Sequence, residues 1–195
     1  MSLPAQHATS TDTVVGNVSK LTESDNKVKA GGVFHVKCHD ANGDLKWEVE
    51  KHNLVVNVGL QDMNTQYFTG AGYTAAWYIG LYGAGATNTP AASDTMSSHA
   101  GWTEITAYSQ ATRPACTFGV PTTADPSVAT NTASPATYNI NGSVTIGGAF
   151  LTSSNTKSGT TGVLFSASDF QAPGDRIVVS GDTLTVTYTF SLDAV

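Results

Sequence analysis

The sequence predicts an all-β protein, an antiparallel β-sandwich or jelly roll with one short helix, and three observations lead there. Residues 33–51, VFHVKCHDANGDLKWEVEK, carry alternating apolar residues on both sides of Asn42-Gly43, a pair suited to a two-residue type I′ turn. The closing stretch alternates strictly, with Leu184, Val186, Tyr188, Phe190 and Leu192 on one face and Thr or Ser on the other. Roughly ten short strand patterns succeed one another without the strand-helix-strand rhythm of a parallel sheet.

The first hairpin fixes its own register. Folding about Asn42-Gly43 sets Val36 opposite Val49 and Cys38 opposite Trp47, with Phe34 on the same face. The other face then pairs Lys37 with Glu48 and His35 with Glu50. A slip of one residue would turn every one of these side chains to the wrong side, so the pattern specifies one pairing.

Residues 1–32 are polar, with scattered Val and Leu, and read as an N-terminal arm with too little apolar surface to order itself. Residues 33–195 read as a single domain. After the hairpin, residues 52–56 extend the strand. Leu60, Met63, Asn64 and Tyr67 then fall at helical spacing, which predicts a helix over about residues 57–68 with Asn57 as N-cap. Residues 75–82, AAWYIGLY, are apolar or aromatic throughout, as in a strand covered on both faces. The long Gly, Ala and Ser stretch after it has the length of a functional loop.

Residues 102–108 and 113–120 read as two short strands, and residues 121–135 as another loop. Asn141-Gly142 resembles a second turn, yet a hairpin there would mix the faces. The shared parity of Tyr138, Ile140, Gly142, Val144 and Ile146 predicts one long strand with a glycine at a bulge. Gly147-Gly148 is expected to bend the chain before residues 149–152 resume it. Short strands at 163–165 and 176–179 precede the last, at 183–192.

Composition narrows the function. Charged residues make up 12% of the 195-residue chain, against about 25% in ordinary globular domains. The net charge is −6, and nearly all the lysines lie between Lys20 and Lys51 among carboxylates, so no basic surface for nucleic acid is expected. No apolar run approaches bilayer length, and MSLPAQHATS has neither the basic start nor the apolar core of a secretory signal. Cys38 and Cys116 are expected as two separate buried thiols, although a disulfide between them is possible.

No residue pattern points to a cofactor. His35 and His39 share a strand face about 13 Å apart, too far to hold one metal ion without a partner strand. Asp40, Asn42 and Asp44 have the odd-position spacing of a calcium loop, but Gly43 comes too early and Lys51 stands where the bidentate Glu belongs. Asp94, Ser97, Ser98 and His99 cluster in the long loop without the strand-turn-helix elbow of a hydrolase, so no enzymatic activity is expected. Among the aromatic residues, Trp77 alternates with Ile79 and Leu81 and reads as core, whereas Trp102 is flanked by Gly101 and Glu104 and reads as more open. Asp94, Ser98, His99, Trp102 and Tyr108 are the candidate partner-binding residues.

Several longer runs carry a resemblance. GDLKWEVEKHNLVVNVGLQDMNTQYF, WYIGLYG, DTMSSHAGWTEITAYSQATRP, INGSVTIGGAFL and GDTLTVTYTFSL resemble small structural proteins of tailed bacteriophages and prophages. The likeness covers most of the chain from about Gly32 onward. It implies a capsid decoration or cement protein: a β-sandwich or jelly-roll module bound to the major capsid protein as a homo-oligomer, made in the host cytoplasm and located in the virion. It supplies no catalytic residue. The alternative is a receptor- or glycan-binding domain of a tail or fibre, with Trp102, Tyr108, Tyr73 and Tyr82 as its platform.

Overall fold

A computed structural model describes residues 27–70, 72, 76–83, 89–170 and 174–194. In chain order the elements are β1 (Val28–His39), β2 (Leu45–His52), β3 (Leu54–Val55), α1 (Asn57–Phe68), β4 (Tyr78–Gly83) and β5 (Ser127–Thr130). There follow β6 (Ala136–Asn139), β7 (Val144–Thr152), β8 (Leu164–Asp169), β9 (Arg176–Val178) and β10 (Thr183–Ala194). Among the described residues they form an all-β sandwich of two antiparallel sheets with one helix. Sheet one runs β2-β1-β10-β5, with β6 also on β10; sheet two runs β3-β8-β7-β4, with β9 also on β7.

The hairpin of β1 and β2 has the expected register: Val36 faces Val49, Cys38 faces Trp47, Lys37 faces Glu48 and His35 faces Glu50. Phe34, Val36 and Cys38 are fully buried. Its turn differs from the two-residue form. The Gly43 N–H donates to the Asp40 carbonyl at 3.0 Å and the Asp40 N–H to the Asp44 carbonyl at 2.9 Å, closing a three-residue loop. Only Gly43 in this turn has positive φ, at 90°, and the register shifts after Cys38 to absorb the extra residue. The Asp40 carboxylate accepts the N–H groups of Asn42 and Asp44, so the spacing that suggested calcium serves the turn.

β1 begins five residues before the expected domain boundary, with residues 28–32 paired to residues 190–194 of β10. Residues 1–26, the rest of the expected arm, lie outside the described residues. The expected extension of β2 instead crosses to the other sheet after His52, where β3 pairs with β8. The helix has the expected span, but Val56 is its N-cap and makes no side-chain cap bond, while Asn57 is its first residue. Its buried residue is Gly59, which lies where a Cβ would run into the Phe165 backbone. That contact rotates the helix so that Leu60 and Tyr67 face outward and Met63 inward.

β10 organises sheet one. It pairs with all of β1 on one edge and, on the other, with β6 at residues 183–186 and β5 at residues 189–192. The gap between those two short strands is closed by Asn131, a fully buried amide that accepts the Tyr188 N–H at 2.7 Å and donates to the Val186 carbonyl. The expected loop at 121–135 therefore contains β5, and its buried asparagine continues the hydrogen-bond ladder where no strand does.

The predicted long strand over residues 138–146 is two strands in different sheets. β6 belongs to sheet one and β7 to sheet two, and the chain crosses between them at residues 140–143. The parity still holds across the crossing, because Tyr138, Ile140 and Ile146 all point into the space between the sheets. Gly147-Gly148 does not end the strand, since β7 continues through it, but the register with β4 slips there: Tyr82 faces Gly148 and Gly83 faces Ile146, which leaves Gly147 as the extra residue of a bulge. The glycine is required by packing: Gly148 faces Tyr82 of β4, and a Cβ there would enter the Tyr82 ring. Gly80 faces Phe150 in the same way, so two glycines seat two rings across one strand pair.

The main core lies between the sheets, where Phe34, Val36, Leu184, Val186 and Tyr188 meet Ile79, Leu81, Ile146 and Leu151. A second cluster, with Tyr82, Phe150, Met96 and Trp102, covers the opposite face of sheet two. This double coverage explains why β4 is apolar at every position. Residues 102–108 and 113–120 form isolated bridges rather than strands, Tyr82 to Glu104 and Tyr78 to Ala115 among them.

Cys38 and Cys116 are separate, free and buried. Burial raises both thiols to about 12, and the Asp182 carboxylate adds to the effect at Cys38. Asp182 closes the turn between β9 and β10 by accepting the Val179 N–H, and pairs with Lys46 of β2 at 2.5 Å. Burial pushes its carboxyl up, but Lys46 and the Val179 N–H together hold it below the usual carboxylate range. A carboxyl depressed in the folded state stabilises above its unfolded value of 3.8 and loses that contribution as pH falls through the folded value. Melting temperatures followed from neutral pH into the acid range should therefore fall for the wild type. Lys46→Met should start lower and fall less steeply; an equally steep fall would show that this pair does not carry the acid sensitivity.

Candidate interaction surface

The long loop that held most of the candidate residues is anchored to the outer face of sheet two. The Asp94 side chain accepts the Ala91 N–H at 2.9 Å, and Thr95 and Ser98 exchange backbone hydrogen bonds. Met96 between them is buried. His99 stacks on Trp102 with ring centroids 3.8 Å apart, and its Nδ1 lies 3.1 Å from the Trp102 carbonyl. Trp102 in turn packs on Tyr82 and Phe150.

The five candidates consequently separate. Asp94, Trp102 and Tyr108 are 7%, 4% and 1% exposed and cannot present a face to a partner. Tyr108 lies edge-on to Tyr138 in the core, beneath the Lys157 ammonium at 3.7 Å. Ser98 is exposed and His99 half-buried, so these two alone reach the surface. The Ser97 hydroxyl bonds Thr95 and His99 is engaged with Trp102, so the loop does not assemble a serine-histidine-carboxylate chain. The openness inferred for Trp102 from Gly101 and Glu104 fails because the loop folds back over the sheet and the Glu104 side chain is itself buried against Arg113.

The apolar surface lies elsewhere. At the end of the sandwich where β1 begins and β10 ends, a groove of about 840 Å³ opens between α1 and the sheets. Leu151, Phe165 and Tyr188 are its buried floor, and Trp77, Phe118 and Phe190 are half-buried along it. Its rim carries Val28, Tyr67 and Phe68, which are 71%, 83% and 77% exposed. Tyr67 and Phe68 touch edge to face at 4.9 Å, a pair held by the last turn of α1. Of the groove's described lining, Asp62 is the sole charged side chain. Contiguous apolar surface of this kind marks a place that something covers.

One sequence signal could have located this site. Tyr67-Phe68 sets two large rings side by side in the last turn of the helix, a local concentration of aromatic surface that the sequence shows directly. The remaining lining comes from positions distant in the chain. Within the described lining, Gln66 donates to Asp62 and the Tyr188 hydroxyl meets Asn53 and Ser166.

Fold and groove define an all-β sandwich with an apolar groove at one end. No known protein family, curated protein or solved structure matches the chain. Among the described residues, no helix is long and apolar enough to cross a membrane.

Proposed function

We propose that the protein is a structural protein of a bacteriophage virion, a decoration or cement protein that binds the major capsid protein and stabilises its lattice. The reading starts from the resemblance of the runs from GDLKWEVEK to GDTLTVTYTFSL to virion structural proteins, and the observation that supports it is an all-β sandwich carrying an exposed apolar rim at Val28, Tyr67 and Phe68. The geometry supports it in two ways. Two sheets with cores on both faces of sheet two support a rigid body, and the Asp94, Thr95 and His99 side chains are engaged within the long loop. The apolar rim of Val28, Tyr67 and Phe68 offers contact area without a reacting centre, as a coat protein needs.

The glycan-binding reading loses its platform. Trp102, Tyr108 and Tyr82 are buried, and Tyr73 lies outside the described residues. Counting copies of the protein in purified virions tests the proposal. A number matched to the capsid lattice is expected, and a few copies per particle would move the protein to the tail.

A further inference from the structure

The groove lies where the undescribed part of the chain must enter the fold. Val28 is both the first residue of β1 and part of the groove rim, so the described chain begins at the rim. The apolar content of residues 1–26 is concentrated in residues 14–21, VVGNVSKL, followed by the polar stretch TESDNK that leads into Val28. Val14, Val18 and Leu21 are spaced to share one side of a helix. Leu21 is seven positions ahead of Val28, a tether that spans up to about 23 Å when extended. That reach lets residues 14–21 fold back from Val28 toward the neighbouring groove lining.

We propose that in the free protein the groove is occupied by residues 14–21 of the same chain, with Val14, Val18 and Leu21 on its apolar floor. Charge agrees with this assignment: Lys20 is the cation of the segment, and Asp62 is the sole charged side chain in the described lining. Tethering decides between occupants. A segment attached at the rim by a short polar linker acts at an effective concentration in the millimolar range, so even weak contacts suffice to seat it. It also reconciles two properties of the chain: a segment too poor in apolar residues to order alone, and a groove too apolar to stand open. The inference concerns the isolated protein and does not rest on the capsid reading. If both hold, a capsid site that takes the groove must displace the segment.

The full-length chain carrying Asn17→Cys with a nitroxide label tests this, since the native thiols are buried and held protonated at neutral pH. The label should abolish the indole signal of Trp77 and the methyl signal of Met63 in nuclear magnetic resonance spectra of the labelled molecule. The loss should be reversed by the further changes Val14→Ser, Val18→Ser and Leu21→Ser in the same chain. Signals that persist beside the label would overturn the proposal. So would a loss that also appears when unlabelled, isotope-enriched protein is mixed with labelled protein, because the segment would then be seated on a second copy.

Discussion

Arg113→Ala should be among the most destabilising single substitutions outside the apolar core, lowering stability by about 3–5 kcal/mol. The Arg113 side chain is fully buried and Glu104 is 6% exposed. The guanidinium donates to both Glu104 oxygens, at 2.8 and 2.7 Å, and to the carbonyls of Ser154 and Gly159. Glu104 also accepts the Ser158 N–H at 2.6 Å, so one ion pair ties two chain segments to the 153–162 loop. Removing the arginine leaves a buried carboxylate without its partner. Replacing both members by apolar residues should be milder than removing one, because no charge is then stranded. Denaturant melts of Arg113→Ala, Glu104→Leu and the double variant Arg113→Met with Glu104→Leu would check this. A single variant as stable as the wild type would show that the pair contributes nothing.

The second large effect should appear at Gly80. A Cβ on Gly80 would enter the outer edge of the Phe150 ring and meets no backbone atom among its nearest neighbours. Gly80→Ala should lower stability by about 1–3 kcal/mol through overpacking. Because the obstacle is the far end of a ring, Phe150→Leu removes it. The double variant should be more stable than the sum of the two single changes predicts, with a coupling of about 1 kcal/mol or more. Gly148→Ala should resist such rescue, since its Cβ would also strike the Ser168 carbonyl, which no change at Tyr82 moves. Additive effects at Gly80 and Phe150 would contradict the packing described.

These two sites also show what the sequence made legible. The β1-β2 register and the inward face of β10 could be read directly, because each strand there has one wet and one dry face and a slip is visible. Sheet two was harder, since coverage on both faces erases alternation and leaves only apolar runs. Arg113 and Asn131 gave no sign of burial, because their partners come from Glu104 and the 153–162 loop, and from β10, brought near only by the fold. The candidate site was misplaced for a related reason. Trp102 looked open beside its glycine, yet the rings that cover it, Tyr82 and Phe150, belong to strands far along the chain. The helix was found at its full length, but its outward face followed from the contact of Gly59 with Phe165, which no local periodicity encodes.

The claim that the protein coats a capsid is tested most directly by its position in the intact particle. Electron cryomicroscopy of virions at a resolution that shows strands should find the two-sheet body on the outer surface of the capsid shell, repeated with the lattice. The end bearing Val28, Tyr67 and Phe68 should face the major capsid protein. Density for the sandwich confined to the tail or its fibres, or absent from the particle, would contradict the account.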